Sequence, residues 1–400
     1  MTDAITTNFD LSEDQQTIQQ TIREFTAEHV SPKAEHLDEV AEFPEDTFKG
    51  LAEQGFLGLS IPEEHGGMGF DTLSYILCVE ELSRACGSTG LGYAAHVSLG
   101  TAPIYLFGTP EQREKYVPQL CKGVDEDGKL TLGCFGLTEP GAGSDASGTK
   151  TTAEKKDDHW LVNGRKAWIT NPHYGKTCIF TAKTNSNPEK GKGITAFIAE
   201  FGTDGFIVEA KEDKLGMRSS DTAQLVFEDM KIPLDSVAGG MEQVDIGFDK
   251  FMETLAGGRI SIGAVGLGIA QGAYEVARDY ARQRKQFGKA IGQFQGVSFK
   301  IADMALEIEA TRHLVYHAAR LRDAGRDFAM AAAMAKLKAS EVAMQVCTDA
   351  IQVLGGVGYT RGYAPERMMR DAKLCEIGEG TSEIQRLVIS RKILGDLRNV

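Results

Sequence analysis

Apolar residues recur about once per helical turn through the first part of the chain. The stretch LSEDQQTIQQTIREFTAEHV shows this spacing, and Ser12 stands three residues before Gln15, as in a capping box at a helix start. A further helix is predicted in DTLSYILCVEELSRAC, with IPEEHGGMGFD as a loop before it. Residues from about 10 to 122 therefore predict a helical unit. The apolar positions of the first helix are Ile18, Ile22, Phe25 and Val30.

From about residue 130 the apolar runs become shorter and richer in β-branched and aromatic residues. HWLVNGRKAWIT consists of two short runs around Asn163-Gly164, a pair of residues typical of a β-hairpin turn. The runs TCIFTAKT, ITAFIAE, GFIVEA and AQLVFEDMKI follow, separated by turn-like gaps. The pattern predicts a small antiparallel β unit over roughly 130 to 240, closed by IPLDSVAGG.

The remainder of the chain is rich in alanine and has apolar residues at i, i+3 and i+4. It predicts a helical bundle with three long helices, at about 245 to 284, 295 to 324 and 328 to 353, and a shorter one from 381. The order is helical, β, helical. Because strands and helices do not alternate, a doubly wound parallel sheet is disfavoured.

Two glycine-rich stretches, GAGSDA (141–146) and GLGIAQG (266–272), resemble dinucleotide-binding fingerprints. Such a fingerprint is meaningful only when a strand precedes it and a helix follows within a βαβ unit. Neither stretch has this context, so a nicotinamide site of the Rossmann type is disfavoured. Gly263, Gly266 and Gly268 are interpreted instead as positions of close helix packing.

Composition and charge narrow the possible partners. The chain has 400 residues with 42% hydrophobic content, enough for a sizeable core. Its formal net charge is -14, with Lys and Arg spread along the sequence, which argues against nucleic acid as a ligand. The seven cysteines are widely spaced and form no C-x-x-C pair, which indicates reduced thiols.

The N-terminal stretch and the length of the apolar runs indicate where the protein is located in the cell. The N-terminal stretch MTDAITTNFDLSEDQQ is acidic and polar, unlike a signal or transit peptide. No apolar run approaches the ~18 residues that a membrane-spanning helix needs, so no membrane association is predicted. These features favour a bacterial cytoplasmic protein, or a mitochondrial matrix protein if the sequence is that of a trimmed organellar one.

Two stretches between about 134 and 171 are suited to a flat ligand. CFGLTEPGAGSDA is a loop of small residues and backbone donors that can approach a ring or a phosphate closely, although an ordinary surface turn has the same composition. In KAWITN, Trp168 and Thr170 alternate along a strand and project from one face. They can stack on and bond to a heteroaromatic ring, or Trp168 can anchor the β core.

Two further stretches follow in the helical part. RQRKQFGKAIGQFQ offers Arg284, Gln286, Phe287 and Gln295 at a helix break marked by Gly288, which suits a pyrophosphate and an adenine. A basic helix end that neutralises its own dipole is the alternative. QVLGGVGYTRGY interrupts a long helix with glycines, which leaves backbone groups free for a ligand or forms a simple C-cap turn.

The stretch KLCEIGEGTSEIQRL places one carboxylate, Glu379, between Gly378 and Gly380, directly before a predicted helix start. The sequence contains no H-E-x-x-H metal motif, no G-x-S-x-G elbow and no P-loop. Metal, acyl-serine and kinase chemistry are therefore disfavoured. A carboxylate between glycines remains, together with loops suited to a dinucleotide that carries a flat ring.

Seven stretches together resemble the acyl-CoA dehydrogenases, flavoproteins of fatty-acid and amino-acid catabolism, and especially their short-chain branch. They occur in the order and at the spacing of that family over essentially the whole chain, which is far more specific than any single stretch. They are LTEPGAGSD, WITN, KLGMRSSDTAQLVFEDMKIP, RKQFGKAIGQFQ, QVLGGVGY, RDAKL and GEGTSEIQRL.

The resemblance implies an α+β fold, mostly α, assembled as a homotetramer. Its expected parts are a helical N-terminal domain (1–128), an antiparallel β middle domain (129–242) and a C-terminal four-helix bundle (243–400). FAD is expected between the middle domain and the bundle, and no metal is expected.

The resemblance also implies which residues meet FAD. Trp168 would flank the flavin ring and Thr170 would bond its N5 edge. The pyrophosphate and adenine half would be bound by residues from Arg284 onward, in an FAD shared across a subunit interface. The implied FAD contacts are Phe135, Gly136, Leu137, Thr138, Gly143, Ser144, Trp168, Ile169, Thr170, Arg284, Gln286, Phe287, Gln295, Gln352, Val353, Leu354, Gly355, Gly356, Thr381, Ser382 and Glu383.

Glu379 matches the catalytic base of the family. The α-hydrogen of a thioester is too weakly acidic for a free carboxylate, so burial should raise the pKa of Glu379 and donors on the thioester oxygen should stabilise the enolate. In the family these donors are the N–H of the base and a ribityl hydroxyl of FAD. Hydride passes from the β-carbon to flavin N5, giving a trans-2-enoyl-CoA.

The expected substrate contacts are Ser144, Gly258, Arg259, Gly378 and Gly380. Some members of the family place the base at the position matching Gly258, which has no side chain here. Many short- and medium-chain members have Tyr at the position of Gly378. The missing ring predicts a wider acyl pocket, open to branched, aromatic or longer acyl groups beyond butyryl.

The resemblance implies electron-transfer flavoprotein as the acceptor that reoxidises the reduced flavin. One alternative is an acyl-CoA oxidase that passes the electrons to oxygen. Another is a non-catalytic protein that binds flavin or acyl-CoA. The retained Glu379 argues against this last alternative, because binding alone does not need a base.

Overall fold

The first part of the chain is helical, as predicted. The structure is a computed structural model that describes residues 10–185 and 192–395, so the start of the polar N-terminal stretch, residues 1–9, lies outside it. The capping box forms, because Ser12 and Gln15 exchange backbone and side-chain hydrogen bonds. The helices are α1 (Glu13–Phe25), α2 (Ala34–Val40), α3 (Glu45–Glu53), α4 (Thr72–Ala85), α5 (Gly87–Ala94), α6 (Ala102–Phe107) and α7 (Pro110–Lys122).

The middle of the chain forms a seven-stranded sheet in the order β1-β4-β2-β3-β7-β6, with β5 paired to β4. The prediction of a wholly antiparallel unit is wrong, because β4 pairs in parallel with β1 and with the start of β2. The long connection through β2 and β3 permits the parallel pairing of β1 with β4. The strands are β1 (Leu132–Gly136), β2 (Thr152–Lys155), β3 (His159–Thr170), β4 (Gly175–Lys183), β5 (Ile194–Glu200), β6 (Phe206–Val208) and β7 (Thr222–Pro233).

The predicted hairpin turn at Asn163-Gly164 is wrong. β3 continues through both residues, and its register with β7 shifts at Gly164 in a β-bulge. A Cβ on Gly164 would lie 2.5 Å from the side-chain Oγ1 of Thr151 and 2.6 Å from its Cα. The glycine therefore serves close strand contact rather than a turn. The chain reverses before β3 instead, where the N–H of Lys156 donates to the carbonyl of His159.

The last part is the predicted helical bundle, and its long helices begin and end within a few residues of the expected positions. One additional helix, α11, was not predicted. Glycines of α8 permit the expected close packing, since a Cβ on Gly266 would lie 3.0 Å from the carbonyl of Ala339. The helices are α8 (Gly247–Gln283), α9 (Gln295–Asp323), α10 (Ala329–Leu354), α11 (Ala364–Cys375) and α12 (Ser382–Leu394). A two-stranded hairpin, β8 (Lys285–Gln286) and β9 (Lys289–Ala290), joins α8 to α9.

The helix α8 qualifies the prediction about membrane spans. By length and composition it is apolar enough to cross a membrane, with a mean hydropathy of 1.2 over its most apolar window. However, 78% of that window is buried inside the protein, as in the central helix of a core. All seven cysteines are buried and unpaired.

Candidate active site

Glu379 lies in the short loop between α11 and α12, at a position of backbone strain. Its φ is 52°, and the following Gly380 has a φ of 94°. Glycine adopts this left-handed region freely, whereas a glutamate does so at a cost of about 1–3 kcal/mol. The loop therefore holds the Glu379 side chain in a backbone conformation that costs local conformational energy.

The carboxylate of Glu379 points at α8. The residue is half-buried overall, but its Oε2 atom is enclosed by protein. A Cβ built on Gly258 would overlap this oxygen and would lie 3.0 Å from a methyl group of Leu99. The missing side chain at Gly258 thus provides the space that the Glu379 carboxylate occupies, and the two positions cannot both carry an acid.

The environment of Glu379 favours its protonated form. Burial raises the pKa of Glu379 to about 7, and the positive charges of Lys336 and Arg259 offset part of this rise. Oε2 of Glu379 accepts no hydrogen bond from the described residues. Nε of Arg259, which is also buried, donates none to them. A carboxyl group with a pKa near neutrality is suited to taking up and releasing a proton.

Two polar side chains that were not predicted donate hydrogen bonds to the backbone carbonyls of this loop. Lys336 of α10 is fully buried, and its Nζ donates to the carbonyl of Gly380 at 2.7 Å. Nε2 of Gln385, on α12, donates to the same carbonyl at 2.7 Å and to that of Glu379 at 3.3 Å. The carbonyls of Glu379 and Gly380 therefore both accept hydrogen bonds from side chains of the helical bundle.

A sequence signal for Lys336 exists. In AAMAKLKASEVAM it occupies the helical stripe of Ala332, Ala339 and Ala343, all of which are buried. A lysine on an apolar stripe predicts a buried ammonium with a specific partner. Gln385 has no comparable signal, because polar and apolar residues are mixed around it and α12 has only a weakly defined apolar face.

The loop LTEPGAGSD is anchored by a buried ion pair. Oε1 of Glu139 lies 2.7 Å from Nζ of Lys166, and Oε2 accepts from the N–H of Lys150 at 2.6 Å. The Thr149 hydroxyl and the Thr151 N–H donate to the same carboxylate. Burial raises the pKa of Glu139, but Lys166 and these hydrogen bonds outweigh it and lower the value to about 2.

This anchored loop lies beside the strand that carries WITN. The N–H of Ala167 donates to the carbonyl of Thr138 at 2.8 Å. The next residue, Trp168, has a φ of 62° and is 61% exposed. Trp168 therefore does not anchor the β core, and that alternative is wrong. Trp160 does so, buried against Phe197 with ring centroids 5.3 Å apart.

The other predicted residues of this region divide into buried and open positions. Leu137 and Ile169 have their side chains in the core, and Gly136 lies on β1 with its Cβ position 2.9 Å from Phe180. Phe135 stacks on Phe251 of α8 with centroids 4.4 Å apart. The open or partly exposed positions are Gly143, Ser144 and Thr170.

A second group of predicted residues lies at the other end of the bundle. Arg284 follows the last residue of α8, and an α-helix rises about 1.5 Å per residue, so it is roughly 40 Å from Gly258. Phe287 projects there with 92% exposure and a φ of 50°. Gln286 and Gln295 flank it in the chain.

The end of α10 reaches the same place, because Lys300 of α9 and Asp349 of α10 form an ion pair at 2.5 Å. Here Val353 and Leu354 have buried side chains. Beyond them the Cβ positions of Gly355 and Gly356 contact nothing within 4 Å. Gln352 belongs to the last turn of α10.

The start of α12 contains the last predicted contacts. The Thr381 hydroxyl accepts from the N–H of Ile384 as an N-cap, Ser382 is buried and Glu383 is exposed. At Gly378 a Cβ would lie 3.5 Å from the carbonyl of Leu374, an ordinary contact, so a side chain fits there.

Comparison with known proteins gives matches along the chain. Three family models match, described as the N-terminal domain (residues 12–124), the middle domain (134–230) and the C-terminal domain (245–394) of acyl-CoA dehydrogenase. A relative from Clostridium acetobutylicum, named short-chain specific acyl-CoA dehydrogenase, is 47% identical over 96% of this chain and 99% of its own.

Solved structures match equally well. Butyryl-CoA dehydrogenase from Megasphaera elsdenii has a TM-score of 0.92 and 42% identity, over 97% of this chain and all of that chain. A chain in a structure described as "Electron transferring flavoprotein of Acidaminococcus fermentans: Towards a mechanism of flavin-based electron bifurcation" has a TM-score of 0.93 and 46% identity. It covers 97% of this chain and 100% of that chain.

Proposed function

Because the chain belongs to the acyl-CoA dehydrogenase family, we propose that it catalyses FAD-dependent α,β-dehydrogenation of an acyl-CoA to a trans-2-enoyl-CoA. The observation that carries this proposal is Glu379. It is a glutamate in a strained backbone, with an enclosed carboxylate and a pKa raised to about 7. A residue kept for packing or solubility needs none of these properties.

The proposed roles of the loop follow from its geometry. Glu379 takes the α-proton of the acyl thioester, and Arg259 beside it supports the wall of the substrate site. The N–H of Glu379 donates to no backbone acceptor in the described part of the chain. It is therefore available to the thioester oxygen, where a donor stabilises the enolate as the proton leaves. Ser144, Gly378 and Gly380 complete the proposed substrate contacts.

The residues around Trp168 fit a flat cofactor. An exposed indole at a left-handed φ, the open Gly143 and the half-buried Thr170 border the anchored loop. An indole held in this way presents a large flat apolar face on which a planar ring can stack. We place the isoalloxazine of FAD here, where it supplies the hydride acceptor for the β-carbon when bound.

Trp168 allows a direct test of this placement, because the chain has two tryptophans. In Trp160→Phe the emission comes from Trp168 alone, and FAD added to the apoprotein should quench it strongly. In Trp168→Phe the buried Trp160 serves as the control and should respond much less. Equal quenching in both variants would contradict the placement of the ring.

The distance along α8 supports a cofactor shared between two copies of the chain. The residues proposed for the pyrophosphate and adenine, around Phe287 and Gly355, lie roughly 40 Å from Gly258 within one chain. One dinucleotide does not span that distance. A second copy must therefore bring these residues to each flavin, which agrees with the homotetramer proposed from the family.

The proposed substrate is a short- to medium-chain acyl-CoA, which can be branched. The Clostridium relative is named short-chain specific and the Megasphaera structure is a butyryl-CoA dehydrogenase. The wider pocket is proposed from the resemblance, because many short- and medium-chain members have Tyr at the position of Gly378, and a Cβ there would meet Leu374 only in ordinary contact. Comparing kcat/KM for butyryl-, isobutyryl-, hexanoyl- and octanoyl-CoA tests this, and a sharp preference for butyryl-CoA alone would sink the wider-pocket proposal.

The decisive experiment is an anaerobic titration of the purified holoprotein with this panel, followed at the flavin absorbance band. Bleaching in proportion to added acyl-CoA, with the enoyl-CoA as product, is the expected result. A yellow protein that no member of the panel bleaches would contradict dehydrogenation. We further propose electron-transfer flavoprotein as the acceptor. Rapid reoxidation of the bleached protein by air would point to the oxidase alternative instead.

A further inference from the structure

A buried ammonium group sits directly behind the proposed base. Lys336 lies in the middle of α10 with a fully buried side chain, and Nζ reaches the carbonyl of Gly380 at 2.7 Å. Gln385 also donates to this carbonyl at 2.7 Å. The carbonyl therefore already has a neutral donor, so hydrogen bonding alone does not require a lysine at position 336.

Burying a charged ammonium is costly unless opposite charges and hydrogen bonds offset the lost hydration. Burial lowers the pKa of Lys336 to about 8, whereas interactions with Cys375 and with the carboxylates of Glu379 and Glu376 resist this lowering and Arg259 adds to it. At neutral pH Lys336 is therefore still mostly charged. Its charge acts on Glu379, where it lowers the pKa more than Arg259 does.

The titratable groups around Glu379 and Lys336 come from five elements. Lys336 belongs to α10, Arg259 to α8 and Tyr75 to α4. Cys375 and Glu376 at the end of α11 and Glu383 of α12 interact with Lys336. Among these groups only Lys336 combines a charge with a hydrogen bond to the loop of the base.

We propose that Lys336 is a positioning residue for Glu379: its hydrogen bond holds the Gly380 carbonyl, and its positive charge favours the reactive carboxylate form of the base. This role rests on the proposed dehydrogenation. The hydrogen bond resists relaxation of the loop out of the left-handed conformation that Glu379 and Gly380 share. One side chain thereby sets both the geometry and the ionisation of the base.

Replacement by a neutral residue separates these two effects. Lys336→Met removes the donor and the charge while filling similar space, and Lys336→Gln keeps a donor but removes the charge. Ser340→Ala is the matched control. The Ser340 hydroxyl lies one turn further along α10, 2.6 Å from the carbonyl of Lys336 and 2.7 Å from that of Cys375. The change removes a buried hydroxyl from the same helix but removes no charge and no hydrogen bond to Glu379 or Gly380.

The measurement is the rate of anaerobic flavin bleaching by butyryl-CoA in the holoprotein, as a function of pH. Proton abstraction needs the carboxylate, so losing the positive charge should move the midpoint of the rising limb upward by about 1 pH unit in both lysine variants. The maximal rate should fall about tenfold in Lys336→Met and less in Lys336→Gln.

A second readout isolates the proton step. A 3-thia acyl-CoA can lose its α-proton but has sulfur in place of the β-carbon that gives up hydride. The pH midpoint of its long-wavelength charge-transfer band with oxidised flavin therefore reports enolate formation. This midpoint should shift upward together with that of the bleaching rate, with FAD content unchanged. If Lys336→Met loses FAD, Lys336→Gln provides the same test.

Each outcome decides between the claims. Midpoints of both lysine variants equal to those of wild type and Ser340→Ala would overturn the role of Lys336 and leave the proposed function intact. An upward shift confined to the lysine variants supports the role. A wild-type protein that no acyl-CoA bleaches and that forms no band would overturn the proposed function and, with it, this inference.

Discussion

Two glutamates with enclosed carboxylate oxygens, Glu139 in the middle sheet region and Glu379 in the bundle, illustrate how differently one residue type behaves in this fold. The carboxylate of Glu139 contacts Lys166 at 2.7 Å and accepts three further hydrogen bonds, and its pKa falls to about 2. Oε2 of Glu379 accepts none from the described residues, and its pKa rises to about 7.

The difference shows that donors, and not burial alone, decide which form of a buried acid persists. Glu139 stays ionised and serves as an anchor for the loop beside Trp168. Glu379 has no direct donor on Oε2, and the charges of its two positive neighbours only partly offset the effect of burial, so it can change protonation state near neutral pH. The fold thus keeps Glu139 ionised and leaves Glu379 able to exchange a proton.

Breaking the satisfied site should have the largest effect. Glu139→Gln leaves the Lys166 ammonium buried without its counter-charge, which should destabilise the protein by about 3–5 kcal/mol. Chemical denaturation of the holoprotein measures this loss, and release of FAD should accompany it. The double variant Glu139→Gln, Lys166→Met removes both charges and should recover much of the stability. No recovery would contradict the pairing as the cause.

Removing the unsatisfied carboxylate should instead leave the fold intact and abolish the reaction. Glu379→Gln should retain FAD but slow bleaching by acyl-CoA at least ~100-fold, on the scale of a removed general base. Glu45→Gln, on α3 and paired with Lys49 at the surface, is the control and should react normally. Full activity of Glu379→Gln would refute the assignment.

The two glutamates should also give stability opposite pH dependences. The ordinary pKa of a glutamate is about 4.5, so the unfolded chain releases this proton earlier than the folded Glu379 does. Stability from Glu379 is thus present below about pH 4.5 and is lost as pH rises through about 7. Glu139 contributes in the other direction, with stability lost as pH falls from about 4.5 toward 2.

Glu379→Gln removes the first of these dependences. Measured without substrate at about pH 8, the variant should be more stable than wild type by about 2 kcal/mol, with no difference near pH 4.5. Denaturation midpoints of the holoprotein across this range provide the measurement. A variant that is less stable than wild type at pH 8 would show that the site stabilises the ionised form of Glu379, contrary to a raised pKa.

The smallest effect concerns the space that Glu379 occupies. Gly258→Ala places a methyl group where Oε2 lies, so the carboxylate must move, and kcat/KM should fall about tenfold. Gly266→Ala, about two turns further along the same helix, is the control. Its Cβ meets the carbonyl of Ala339 at 3.0 Å, and the change should alter stability more than rate.

Much of the fold follows from local patterns in the sequence. The capping box of α1, the three long helices of the bundle and the switch from helices to strands near residue 130 are all confirmed. The failed turn prediction has a local cause. Asn163-Gly164 predicts a hairpin turn and forms a bulge, because a glycine that permits a turn also permits close contact with Thr151, and local sequence does not distinguish the two.

The candidate site was predictable to a different extent. Glu379 and the loop beside Trp168 were recognisable from motifs, whereas Lys336 and Gln385 were missed. These two side chains act on Glu379 from other helices, and nothing in GEGTSEIQRL refers to position 336. The anchoring of Glu139 by Lys166 was missed for the same reason, since the two residues meet only when β3 packs against the loop after β1.

The sequence alone therefore determined which residues form helices and strands and which acid stands between two glycines, because these properties depend on neighbours along the chain. Only the tertiary structure decided the chemical state of that acid. The pKa of Glu379 depends on burial against Gly258 and on the charges of Lys336 and Arg259. Electrostatic interactions act through space, so residues distant in sequence set the reactivity of a residue whose position local sequence had already specified.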